Sequence, residues 1–356
     1  LSLIVIGIYG SEMFNADKYR VLIGEMEERV WTQDIQPKDP QHFRPVSYES
    51  AIYVARKAVG ELGTVGSQFE IREDSLTLQV ISGELWYVLP LDFAGFRAWN
   101  DTGTVIGYIK VHAEDPNRQP EVKQLSREKQ FVYTPGAWFG NDLIRHLRQS
   151  GNFRVNLAGT HLEIDENDAP WWVTSVLTPT IGQFGDKVTG VLITNPVTGE
   201  RTFAPIGQIP AWIDRVIPRS LTKNYIDHWG EYVHGWWNSV WRKRDLVEAE
   251  SPSLVFSGEK KPVYVTGVTS QNNRDDSLVG LIYTDTHTGK SVYYRTKGGA
   301  TDAAVVQAVS KFQDVQFKKL HAADPQLYNL YGTMASVAPL MNENYAYSGV
   351  AIANIS

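Results

Sequence analysis

The chain has no cysteine among its 356 residues. That removes disulfides, thiolate metal sites and cysteine nucleophiles together, while leaving the redox compartment open. It also lacks an excess of positive charge. Thirty-four Lys and Arg stand against 40 Asp and Glu, a net charge of −6 with no basic block, which argues against nucleic acid as the main partner. No apolar run reaches the ~18 residues that mark a membrane-spanning helix. The sequence contains no Gly-X-Ser-X-Gly elbow, no phosphate loop and no dinucleotide fingerprint, so the common signatures of nucleophilic and nucleotide chemistry are missing. What remains is 42% hydrophobic and 21% charged, a composition that fits a folded protein.

The first residues, Leu1 to Tyr9, are almost wholly apolar. Two readings compete. One is the last turns of a transmembrane helix, with Tyr9 at the interface; the other is a buried strand. The first is preferred here, with residues 1–10 as the end of a possible transmembrane helix and 11–46 as a charged, proline-bearing connector.

Self-comparison is the informative step. Pro170-Trp-Trp-Val-Thr-Ser-Val, a polar loop, Val188-Thr-Gly-Val-Leu-Ile and Asn195-Pro-Val-Thr-Gly-Glu are matched by Pro262-Val-Tyr-Val-Thr-Gly-Val, a polar loop, Leu278-Val-Gly-Leu-Ile-Tyr and Asp285-Thr-His-Thr-Gly-Lys. Weaker copies begin at Leu85 and Met334, without the Thr-Gly turn. Gly107, Gly190, Gly280 and Gly349 close the corresponding loops. A helical pattern precedes each copy: Ser47–Gly60, Asn141–Arg148, Leu221–Trp241 and Ala300–Phe312. Ser47 and Thr301 offer N-caps. The expected fold is α+β, with four tandem units of one helix on an antiparallel sheet. Units 1 to 4 cover residues 47–134, 135–218, 219–297 and 298–356, the last one incomplete.

This helix-then-hairpin module resembles the PepSY domain, a small cystatin-like α+β unit of exported and membrane-anchored bacterial proteins. The resemblance spans roughly two thirds of the chain. It implies binding or inhibition of a partner protein such as a peptidase, and lends no support to hydrolysis.

Chemistry-bearing clusters are few. Trp229, Tyr232, Val233, Trp236, Trp237 and Val240, with Trp241 beside them, follow a helical period and form one wide face. Such a face packs against a sheet, or else stays exposed for a partner chain, a glycan or a membrane; Trp229, Tyr232, Trp236, Trp237 and Trp241 are therefore the candidate interaction residues. His228, Glu231 and His234 invite a metal reading, but histidines six apart lie about 240° around a helix and do not meet one ion. Asp165-Glu-Asn-Asp168 and Asn272-Asn-Arg-Asp-Asp276 fall in turns, where Asp and Asn bond locally. No catalytic, cofactor or metal residue is assigned.

The expected function is a non-enzymatic, membrane-anchored, extracytoplasmic scaffold or protein-interaction array. Its partners are another protein or a second copy, and the membrane through the N-terminal segment. The alternatives are a structural subunit of a large assembly (filament, secretion machine or virus particle) and a glycan-binding module or hydrolase using the Trp229–Trp241 region.

Overall fold

The structure is a computed structural model; it describes residues 9–37, 43–149, 151, 155–256, 261–271, 277–296 and 298–355. The apolar residues 1–8 and the 272–276 cluster lie outside the described residues.

A short helix α1 (Glu12–Arg20) and strand β1 (Glu27–Arg29) open the chain, and helix α2 (Tyr48–Glu61) leads into the first sheet. That sheet holds β2 (Phe69–Ile71), β3 (Thr77–Ile81), β4 (Glu84–Phe93), β5 (Gly107–His112) and β6 (Glu121–Gln124). Helix α3 (Leu143–Gln149) precedes the second, with β7 (Asn156–Ile164), β8 (Pro170–Ile181), β9 (Phe184–Thr194) and β10 (Arg201–Pro205). Helix α4 (Arg219–Glu231) precedes the third, with β11 (Val247–Ala249), β12 (Ser253–Phe256), β13 (Pro262–Ser270), β14 (Leu278–Asp285) and β15 (Ser291–Arg295). Helix α5 (Asp302–Ser310) precedes the fourth, with β16 (His321–Ala322), β17 (Gln326–Leu330), β18 (Thr333–Met341) and β19 (Tyr347–Asn354).

Consecutive strands pair antiparallel in every sheet. The first strand of each is interrupted. In the first, third and fourth sheets it is split into β2/β3, β11/β12 and β16/β17, each pair sharing one neighbour; in the second, β7 bulges between Ala158 and His161. From the N-terminal segment, β1 adds to β15 in parallel. Local chemistry sets the turns. Asn195 Oδ1 accepts from the Val197 and Thr198 amides at 2.8 and 3.1 Å. Asp285 Oδ1 does the same for His287 and Thr288 at 2.9 and 2.7 Å. Each turn ends in a glycine with φ +72°, a conformation that costs glycine nothing. Ser47 and Thr301 cap α2 and α5, accepting from Ser50 and Ala304 at 3.1 Å.

The expectation of four helix-plus-sheet, PepSY-like units is overturned by the strand-dominated build and by where the cores lie. A sheet covered on one face by a helix buries every second residue. Here β5 is buried along its whole length, and β4 along all but its first residue. Both faces therefore need cover, and a helix supplies one. The second face is covered by another sheet. One core joins Val88, Leu89 and Ile109 of the first sheet and Ala51, Ala55 and Val59 of α2 to Leu162, Trp172 and Leu192 of the second. Another joins Leu281 and Tyr294 of the third sheet to Leu327 and Leu340 of the fourth. Helix α3, seven residues long, buries Leu143 and Leu147 alone.

Successive sheets are also bonded together. Thr77 and Gln79 both donate to the Leu162 carbonyl at 2.9 Å. Ser175 and Tyr264 reach the Val216 and Ile217 carbonyls from opposite sides, at 2.7 and 3.2 Å. The fourth sheet returns to the start: Ser50 Oγ donates to the Tyr345 carbonyl at 2.8 Å, Tyr53 stacks on Tyr345, and Arg44 pairs with Asp324. The four sheets thus close on themselves in chain order, which replaces the expected tandem array of helix-plus-sheet units.

Candidate functional site

A cleft of about 820 Å³ opens between the first and second sheets, with the 211–214 segment at its floor. Its first wall is a cross-strand array. Trp86 on β4 faces His112 on β5, and Lys110, two residues from His112, faces Glu121 on β6; the period of two puts these side chains on one face. The Lys110 ammonium and the Arg118 guanidinium sit 4.6 and 4.3 Å from the Trp86 ring centroid. Glu121 pairs with Lys110 at 3.2 Å, Lys123 at 3.1 Å and Arg118 at 3.3 Å. Burial acts to raise the Glu121 carboxyl, but its bonds to Lys123 and Lys110 prevail and hold it below the ordinary range. Glu121 is the carboxylate that stays ionised.

The second wall is the Asp165–Asp168 turn. Asp165 Oδ1 accepts from the Asn167 and Ala169 amides at 2.8 and 2.9 Å, and its Oδ2 accepts from the Trp171 indole at 2.9 Å. The turn reads locally as structural, and the fold makes it line the cleft.

Asp214, 8% exposed, stands at the floor. Its Oδ2 accepts from the Val80 amide at 3.0 Å. Its own amide donates to Glu163 Oε2 at 2.8 Å, and the Arg215 amide donates to Glu163 Oε1 at 3.1 Å. Burial, then the charge of Glu163, push the Asp214 carboxyl well above its ordinary range. Glu163 is fully buried on β7 and is raised by the same burial. Two carboxyls that share one dry site cannot both ionise near neutrality.

His161 lies against Glu163 in the same dry site. The ring is fully buried and driven well below its usual pKa, first by burial and then by the Arg215 charge. His161 Nδ1 meets the Gly159 carbonyl at 2.5 Å. A carbonyl only accepts, so Nδ1 carries the hydrogen. In a neutral ring Nε2 is then an acceptor, so the 2.8 Å contact with Glu163 Oε1 favours the protonated form of that carboxyl, in the same direction as its burial.

These groups set a pH dependence. Glu163, Asp214 and Asp302 all titrate above their unfolded values, Asp302 at about 7 through burial and the charges of Glu250 and Asp324. A raised carboxyl contributes stability that is complete below its unfolded pKa and lost as pH rises through its folded pKa. His161 acts oppositely: its contribution is present above 6.5 and lost as pH falls. Above pH 6.5 the carboxyl effect is therefore unopposed. Thermal melts at constant ionic strength are expected to show Tm falling over a pH series above 6.5. A flat or rising profile there would mean that these carboxyls are already ionised in the folded protein.

The aromatic segment is not the single helical face that its period predicts. Helix α4 ends at Glu231, the chain reverses through Gly235 at φ +77°, and a separate π-helical turn covers Asn238–Arg242. Gly230 explains part of this: its backbone lies so close to Val247 that a Cβ would come within 2.4 Å of the Val247 carbonyl. Trp229 packs on Tyr293, and Tyr232 is buried with its hydroxyl on Glu12 at 2.7 Å. Trp236 lies against a small core of Tyr19, Leu22 and Ile181. Trp237 and Trp241 face outward. His228 turns to Glu12 at 3.5 Å and His234 to Asp245 at 2.9 Å, so the His-X2-Glu-X2-His spacing does not converge. None of the five aromatic candidates lines the cleft.

Sequence reasoning missed Asp214, Glu163 and Glu121. A weak signal existed. Glu163 interrupts the apolar strand His161-Leu-Glu-Ile, and Asp214 interrupts Ala211-Trp-Ile-Asp-Arg-Val-Ile; charges inside strongly apolar segments are seldom buried without a partner. The expected non-enzymatic scaffold is corrected accordingly. The fold is closed rather than a tandem array, and it brings one carboxyl that burial pushes up, Asp214, and one that ion pairs hold down, Glu121, into one cleft. No described helix is long and apolar enough to cross a membrane.

No protein-family model matches the chain, and no curated protein matches it. Three solved structures match the chain weakly. A thermostable family-43 glycoside hydrolase is 11% identical over 79% of this chain and 69% of its own, with a TM-score of 0.22. An exo-1,5-alpha-L-arabinanase from a bovine ruminal metagenomic library is 11% identical over 78% of this chain and 73% of its own, at 0.21. A family-43 arabinoxylan arabinofuranohydrolase from Bacillus subtilis is 13% identical over 78% of this chain and 46% of its own, at 0.20. TM-scores of this size establish neither a shared fold nor a shared activity.

Proposed function

We propose that the chain binds a carbohydrate in the cleft between the first two sheets and hydrolyses a glycosidic bond there. The observation that carries this reading is the pairing of Asp214, a carboxyl kept protonated, with Glu121, a carboxylate kept ionised, in the lining of one cleft. Carboxyls whose environments push their titrations apart are the acid and the charged partner of glycoside hydrolysis. Asp214 gives its proton to the glycosidic oxygen as the bond to the anomeric carbon breaks. Glu121 stabilises the positive charge that develops on the sugar ring; a water oxygen then bonds to the anomeric carbon and the proton it loses returns to the Asp214 carboxylate. Trp212, half-buried in the lining, offers an apolar ring to a sugar face, and Arg118, Asp165 and Asp168 supply donors and acceptors for hydroxyls.

The test is a panel of neutral and acidic oligosaccharides, scored for binding by calorimetry and for release of reducing ends. Binding and turnover of at least one member are expected. Neither binding nor turnover at millimolar concentration across the panel would refute the reading. Binding of a cationic peptide or polyamine in place of any sugar would reassign the cleft to charge recognition.

A further inference from the structure

The aromatic segment around Trp237 is unused by the cleft, and its surroundings carry an independent reading. Helix α1 packs along α4. The Tyr19 ring meets His228 edge-on at 5.0 Å, Glu12 accepts from the Tyr232 hydroxyl, and Arg20 donates to the Val233 carbonyl at 3.4 Å. Between these elements lies the small core of Ala16, Tyr19, Leu22, Ile181 and Tyr232. Both elements that build this core also carry exposed apolar side chains. Met13 and Phe14 from α1 and Trp237, Val240 and Trp241 from the π-helical turn are all exposed, Trp241 by 74%. The Trp237 and Trp241 rings are held together at 4.6 Å, with Trp236 edge-on to Trp237 at 4.9 Å, so the patch has a defined shape.

Two further features identify what covers it. Arg242-Lys243-Arg244 follows Trp241 directly, and all three are exposed; this is a local positive run on a chain of net charge −6. The eight residues before Tyr9 read Leu-Ser-Leu-Ile-Val-Ile-Gly-Ile, and they precede α1 in the chain. Tryptophan flanked by Arg and Lys, next to an apolar run, is the composition of a surface that sits at a lipid headgroup boundary.

We propose that the Trp237–Arg244 turn, together with Met13 and Phe14 of α1, rests on an anionic lipid bilayer. The indoles enter the headgroup layer and the basic run neutralises lipid phosphates, so this contact is peripheral and distinct from the cleft.

The experiment uses the full chain with vesicles of phosphatidylcholine alone or mixed with phosphatidylglycerol, read by co-sedimentation and by tryptophan emission. Binding to the anionic vesicles, a blue shift, and weakening with added salt are expected. Because the altered side chains are exposed, W237S/W241S and R242E/R244E should fold, which thermal melts verify. Each removed charge should weaken binding about fivefold, and the double tryptophan variant should abolish the blue shift. No binding by the wild type overturns the proposal. So does unchanged binding by both variants, which would place the lipid contact outside the Trp237–Arg244 turn.

Discussion

Replacing Asp214 by asparagine is expected to lower glycoside turnover by about 10²–10⁴-fold, the range for losing a general acid, with KM little changed. The variant is informative because folding should survive it. Burial and the charge of Glu163 favour the neutral form of Asp214 in the folded protein, and asparagine resembles a neutral carboxyl. Its oxygen can still accept from the Val80 amide, and the backbone bonds from Asp214 and Arg215 to Glu163 do not involve the replaced group. A loss of activity with an unchanged melting temperature near neutrality thus locates the defect in proton transfer. The pH profile gives a second readout. Wild-type turnover should fall on the alkaline side as Asp214 ionises, and the residual activity of D214N should lack that limb. Retention of full activity by D214N would exclude Asp214 as the acid, even if sugars bind.

Trp172→Ala is expected to have the largest effect on stability, about 3–5 kcal/mol. The side chain is completely buried on β8, in the core that joins the first and second sheets. Its indole donates to the Tyr133 carbonyl at 2.9 Å and meets Phe131 edge-on. Removal leaves a cavity and an unsatisfied carbonyl together. Trp241→Ala, on the exposed turn, should stay within about 0.5 kcal/mol of the wild type. Urea unfolding of both variants measures the difference. A cost below ~1 kcal/mol for Trp172→Ala would mean that the two sheets do not share a continuous core.

This contrast marks how far the sequence is legible. Both tryptophans sit beside other tryptophans; the Arg242-Lys243-Arg244 run hints that Trp241 is exposed, but nothing next to Trp172 says that a second sheet buries it. Trp171, beside Trp172, turns the other way along β8 to bond Asp165. The period of two separates the neighbours but does not say which face is inside when both faces are covered. The same ambiguity hides the sheet-on-sheet packing: β4 reads as an apolar run in sequence, and its second partner lies outside its own hairpin. The aromatic run from Trp229 to Trp241 fails as one helix for a different reason. Its periodicity is helical, but Gly230 and Gly235 let the backbone approach Val247 and then reverse, and glycine weakens a helix by up to ~1 kcal/mol at each position.

Features that depend on a few neighbouring residues were determined by the sequence alone. These are the Asn195–Gly199 and Asp285–Gly289 turns, the Ser47 and Thr301 caps, and the strands between them, where side chain and backbone bond over two to four positions. The tertiary structure alone decided the chemistry. Glu163 and Asp214 are 51 residues apart, and each is an ordinary carboxylate in an extended chain. Both carboxyls are pushed up only when the closed ring of sheets removes water from them, because the cost of a buried charge arises from its surroundings rather than from the residue that carries it.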